Sequence, residues 1–192
     1  MDALEAIETR TSVAALVEPG PTDAQWAGLL RAGARAPDHG RLRPWRFLII
    51  RGDARRRLGD ALAGALLTDQ PDAAPETVER ERRKPLRAPA ILVVAAIPSP
   101  HAKAPEIEQI LAAGAATQNI LLAAHAMGLG AIWRTGAPAY DRRVIAALGL
   151  PPEAHIVAFV YLGTPASEPR RRDAEPVVAT EWGEIPRDFE AL

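Results

Sequence analysis

Three short polar segments carry the side chains that could do chemistry. Arg10-Thr11-Ser12 sets a guanidinium beside two hydroxyls, a donor set suited to a phosphate. The same tripeptide also fits a helix end with a solvated arginine. Arg35-Ala36-Pro37-Asp38-His39-Gly40 runs into Arg41-Leu42-Arg43-Pro44-Trp45. This reads as a surface loop, but one dense in donors and stiffened by two prolines. Ligand sites favour loops held on a rigid scaffold. Trp133-Arg134-Thr135-Gly136 places an aromatic beside a cation at the end of an apolar stretch. That pair suits a planar ligand, and it is equally an ordinary strand terminus.

Other chemistries lack their residues. The sequence has no cysteine, which removes disulfides, thiolate metal sites and cysteine nucleophiles. His39, His101, His125 and His155 lie at no metal-pair spacing. No metal site is expected, and His125 reads as a core histidine with its hydrogen bonds met. The serines Ser12, Ser99 and Ser167 sit in no nucleophile elbow. There is no phosphate-binding P-loop. Gly128-x-Gly130 precedes a strand rather than following one, so the dinucleotide fingerprint fails on context.

Composition narrows the class further. The chain has 192 residues, 48% hydrophobic and 24% charged, with net charge -1. Those values fit one globular domain spanning 1–192. They give no overall pull toward nucleic acid or an anionic membrane. MDALEAIETR lacks the basic and apolar regions of a signal peptide, and no apolar run reaches a membrane span. A cytoplasmic location is the expectation. Arginine greatly outnumbers lysine, a bias that GC-rich coding produces, so each arginine must be argued by position.

The elements that must position these segments can be read by periodicity. Asp2 and Glu5 are spaced as a capping box for a helix to about Ile7, and Thr22 with Gln25 as a second. The second helix carries Trp26, Leu29, Leu30 and Gly33 on one face and ends before Pro37. Arg46–Ile50 reads as a strand. Asp53 can cap a helix with Leu58, Ala61, Leu62, Ala65 and Leu66 inward. Glu76–Lys84 is helical but almost wholly charged, so it reads as a solvated helix or a mobile cover rather than core. Pro89–Ile97 is the clearest buried strand. Pro105–Met127 is a long helix apolar nearly all round, as for a central helix or one covered by a partner. Gly128–Trp133 is a turn and strand, Asp141–Leu148 a helix, and Ile156–Leu162 a last strand. Periodicity leaves a parallel α/β sheet and an α+β arrangement both open.

Taken in order, the segments resemble the nitroreductase family of FMN-dependent oxidoreductases, most closely its compact single-domain branch. The resemblance rests on Asp2-Ala3-Leu4-Glu5 with Arg10-Thr11-Ser12, and on Leu30–His39 with Arg43-Pro44-Trp45-Arg46-Phe47. It continues through Gly128–Gly136 and Val160-Tyr161-Leu162-Gly163-Thr164-Pro165. It spans roughly residues 1 to 165.

The resemblance implies an α+β fold with a mostly antiparallel central sheet flanked by helices. It implies an intertwined homodimer with FMN at the subunit interface and 166–192 as a tail wrapping the partner. Arg10 and Ser12 fall where the family holds the FMN phosphate and ribityl chain. Thr11 departs from close relatives, which often carry a second arginine there. Arg35 and His39 fall at flavin contacts, and Trp133, Arg134 and Thr135 on the segment beside the cofactor. Arg170-Arg171-Arg172 could add phosphate charge or be a solvated basic run. The implied activity is ping-pong hydride transfer from NAD(P)H to a nitroaromatic or quinone, with no catalytic side chain named. Other activities of the same fold (metabolite oxidation or flavin breakdown) and a non-catalytic FMN-binding protein remain alternatives.

Overall fold

The computed structural model describes residues 1–169. Along the chain run α1 (Ala3–Thr9), β1 (Leu16–Val17), α2 (Asp23–Gly33), β2 (Trp45–Arg51), α3 (Ala54–Asp69) and α4 (Pro75–Arg83). They are followed by β3 (Ala90–Ala96), α5 (Glu106–Ala126), β4 (Gly130–Arg134), α6 (Ala137–Tyr140), α7 (Arg142–Ala147) and β5 (His155–Pro165). Short 3-10 turns cover His39–Arg41 and Lys84–Arg87.

Every strand pairing is antiparallel, which settles the question periodicity left open. The order is β1-β5-β3-β2, with β4 also paired to β5. β3 is buried at every position. Its side chains alternate between faces with period two. Ile91, Val93 and Ala95 meet Leu58, Leu62 and Ala65 of α3 and Val144 and Ile145 of α7. Leu92, Val94 and Ala96 meet Trp26 and Leu29 of α2 and Ala113, Ile120 and Ala124 of α5. Helices therefore cover both faces of the sheet.

The caps are partly those the sequence predicts. Asp2 accepts the Glu5 amide at 2.9 Å. Thr22 and Gln25 complete their reciprocal box. Asp53 stands at the start of α3 but accepts no capping bond there, because its backbone is already helical. The sequence reading misses β1 and α6, which are too short to show a period.

Two helices depart from expectation in how they pack. α5 turns mostly small residues to the sheet: Ala112, Ala113, Ala116, Thr117 and Ala124 are buried, with Gln109, Ile120 and Leu121. Ile107 and Leu111 stay exposed at 59% and 64%. The small residues allow a close helix-to-sheet approach, while Ile107 and Leu111 face outward. α4, expected to be solvated or a mobile cover, is docked. Val78 is buried, and Arg82 pairs with Asp60 of α3 at 3.0 Å. Gly59 of α3 lies so near α4 that an added Cβ would collide with the Arg82 carbonyl oxygen.

No helix among the described residues is long and apolar enough to cross a membrane. The tail expected over 166–192 lies outside the described residues from 170 onward.

Gly59→Ala should destabilise the protein by about 1–3 kcal/mol, because backbone cannot yield as a flexible side chain can. The expected readout is a lower urea midpoint. An unchanged midpoint would show that α4 is not held against α3 at this point.

Candidate functional site

Arg10-Thr11-Ser12 is extended chain leaving α1, and two bonds place it. The Arg10 amide closes the helix on the Ala6 carbonyl. The Val13 amide donates to the Ala131 carbonyl of β4 at 3.0 Å. The segment is therefore anchored beside the strand that carries Trp133 and Arg134. Arg10 and Thr11 are half-buried and Ser12 is exposed.

Just before it, the Thr9 hydroxyl lies 2.6 Å from the Glu5 carbonyl and 2.9 Å from His125 Nε2. Thr9 has one hydroxyl hydrogen, and the carbonyl can only accept. His125 therefore donates through Nε2. The bond ties the start of the Arg10 segment to the C-terminal end of α5, and His125 is half-buried with its bond to Thr9 formed.

Trp133, Arg134 and Thr135 are exposed at the end of β4. The Trp133 indole donates to the Val157 carbonyl at 3.0 Å. The Arg134 guanidinium lies 6.0 Å from the Tyr161 ring centroid, a cation-π contact. Gly136 follows with φ +83, a conformation that favours glycine. There the chain turns from β4 into α6.

Arg35 and His39 are held elsewhere. Asn119 of α5 donates to the Ala32 carbonyl at 3.2 Å and fixes the end of α2. His39 Nδ1 lies 2.6 Å from Glu108 at the N-terminal end of α5. Just past His39 the loop is strained: Arg41 and Arg43 hold φ of 54 and 49 without being glycine. Asp38 is the brace, since its Oδ2 accepts the Arg43 amide at 2.6 Å. Its other oxygen, Oδ1, is buried with no hydrogen-bond partner.

The predicted site residues thus form two groups. Arg10-Thr11-Ser12 lies between Thr9, bonded to His125 of α5, and Val13, bonded to the β4 strand that ends in Trp133-Arg134. His39 lies at the Glu108 end, with Arg35 on the same loop. At about 1.5 Å per residue, Glu108 and His125 are roughly 25 Å apart along the helix. One protomer does not unite the two groups. Arg170–Arg172 lie outside the described residues.

A cavity of about 360 Å³ opens behind the end of β4. Trp133, Arg134, Thr135 and Gly136 line it, together with Lys84, Arg87 and Tyr161. These last three were not singled out from the sequence. They are scattered along the chain, and Lys84 was read only as the end of a charged helix. Burial pushes the Tyr161 phenol above its usual range, and Arg87 and Arg134 partly oppose that by favouring the phenolate. Among the described residues no cluster of three or more His, Asp or Glu could hold a metal.

The chain matches the model of the Nitroreductase family over residues 7–164. It is 42% identical over 166 residues to the Escherichia coli (strain K12) protein named "Putative NAD(P)H nitroreductase YdjA", covering 86% of this chain and 89% of that one. The solved "putative nitroreductase in complex with fmn" from Desulfovibrio desulfuricans is 29% identical. It superposes with a TM-score of 0.67, over 93% of this chain and 99% of that one. A nitroreductase-like family protein from Bacillus cereus gives a TM-score of 0.78 at 24% identity, over 92% of each chain, and speaks for the fold alone.

The Asp38 brace can be tested directly. Asp38→Ala should release the strained turn and speed hydrogen exchange at the Arg43 amide by tenfold or more, since a charge-assisted bond is worth about 1.5–3 kcal/mol. Exchange at the wild-type rate would show that the carboxylate does not hold the turn.

Proposed function

This chain belongs to the nitroreductase family, and from that premise we propose that it is an FMN-dependent NAD(P)H oxidoreductase reducing nitroaromatic or quinone acceptors. The observation that carries the reading is the Val13–Ala131 backbone bond. It ties the chain just after Arg10-Thr11-Ser12 to the strand that leads to Trp133-Arg134-Thr135, which supports a shared site.

The residues present fit the cofactor. The segment 10–12 offers one guanidinium, two hydroxyls and no carboxylate, which is the chemistry a phosphate needs. The exposed Trp133 and Arg134 offer an aromatic and a cation to a planar ring. When bound, FMN would supply the hydride chemistry that links NAD(P)H to the second substrate in a ping-pong cycle. The chain's own part is to bind, orient and bias charge. Arg10, Thr11 and Ser12 hold the phosphate. Arg134 places positive charge where reduction adds negative charge. No side chain is assigned as a general acid, since solvent can supply the protons that complete the reduced acceptor.

A homodimer is part of the same reading. Ile107 and Leu111 on α5, and Leu4 and Ile7 on α1, are all more than half exposed. Large apolar side chains left exposed on these two helices favour burial against a partner. A second copy running antiparallel along α5 would also bring its Arg35 and His39 toward the Arg10 segment. Thr11 leaves only one guanidinium in the phosphate segment. Further positive charge would come from Arg170–Arg172.

Purified protein should be yellow and should oxidise NADH or NADPH in the presence of a nitrofuran or a quinone. Protein that stays colourless after exposure to FMN and dialysis would end the flavin reading. Arg10→Ala should weaken FMN binding about ten- to a hundredfold, the equivalent of about 1.5–3 kcal/mol for a charge-assisted phosphate contact. Unchanged affinity by fluorescence titration would remove Arg10 from the phosphate site.

A further inference from the structure

The cavity behind β4 has two kinds of wall. Leu58 and Leu62 of α3 and Phe159 of β5 make an apolar floor. Lys84, Arg87 and Arg134 bring three cations, and no carboxylate lines it. Lys84 is already paired with Glu81. Arg87 and Arg134 pair with no carboxylate among the described residues; Arg134 instead lies over the Tyr161 ring. Arg87 and Arg134 are exposed with no carboxylate partner beside an apolar slot, so both guanidiniums are available to a bound anion. At about 360 Å³ the cavity is of a size to take one small aromatic molecule.

We infer that this cavity is the acceptor subsite, and that it selects planar aromatic acceptors bearing an acidic group, held by Arg87 and Arg134. The inference rests on the oxidoreductase reading for the word acceptor, but the binding preference it asserts does not need FMN. The ring lies on Leu58, Leu62 and Phe159, and the acidic group meets the two guanidiniums. Trp133 and Thr135 belong both to this cavity and to the segment proposed to contact the flavin, so an acceptor here would lie next to the redox site. Tyr161 lines the same cavity, and its burial favours the neutral phenol.

The test is calorimetric titration of the full-length protein with para-nitrobenzoate and with para-nitrobenzamide, which share a shape and differ in charge. The benzoate should bind about ten- to a hundredfold more tightly, as expected for a charge-assisted contact. The preference should shrink at high salt. Arg87→Gln should bring the ratio close to unity, and Arg87→Lys should keep part of it, which separates charge from any loss of folding. Equal affinity of the two compounds for the wild-type protein would overturn the inference. So would an unaltered ratio in Arg87→Gln. If Arg87→Gln instead loses a preference for NADPH over NADH while the benzoate ratio holds, the cations serve the dinucleotide phosphate and the inference is likewise overturned. Visible absorbance of the same samples reports FMN separately. Colourless protein with an intact charge preference removes the flavin reading and leaves the subsite standing.

Discussion

Helix α5 sets the distance between the two donor groups. It is a 21-residue rod lying on the sheet through alanines, Thr117, Ile120 and Leu121. Side chains at both of its ends fix flanking loops: Glu108 holds His39, and His125 holds Thr9 beside Arg10. A buried helix of this kind does not bend enough to bring its ends together. Within one chain Arg10 and His39 therefore stay at opposite ends of α5. The proposed dimer answers that constraint, and it also accounts for the outward-facing Ile107 and Leu111.

The small-residue face has a second consequence. Because α5 turns mostly small residues to the sheet, Ile107 and Leu111 are left for another surface. The opposite face of the sheet is closed by α3 and α7, and α4 is clamped onto α3 at Gly59. The clamp fixes where the turn Lys84–Arg87 sits, and so it places two cations at the cavity behind β4. Packing far from the proposed flavin contacts thus determines the charge next to them.

Much of the fold was legible in the sequence, for identifiable reasons. The run Ala90–Ala96 is long and apolar enough to announce a buried strand, and Thr22 with Gln25 announces a helix start. Antiparallel pairing was not legible from periodicity, because register and strand order depend on long-range contacts. The sidedness of α5 was hidden because both of its sides are apolar. The docking of α4 was hidden because one valine and one glycine on another helix produce it. Residue types picked out Arg10–Ser12 and Trp133–Thr135 separately. The link between them is a backbone bond from Val13 to Ala131, which side-chain identity does not encode. Arg87 and Tyr161 stand far apart in sequence and acquire a shared role only once α3, α4 and β5 converge.

The central claim is that each site needs Arg10 from one protomer and Arg35 with His39 from another. Subunit complementation tests it most directly. Arg10→Ala protein and the double variant Arg35→Ala, His39→Ala are each prepared with weakened FMN binding, then unfolded, mixed and refolded, and the mixed dimer is isolated. The account predicts that the mixed dimer binds one FMN with wild-type affinity, because one of its two sites contains no substitution. A mixed dimer that binds FMN as weakly as its parents would contradict it, since every site would then draw both groups from a single protomer.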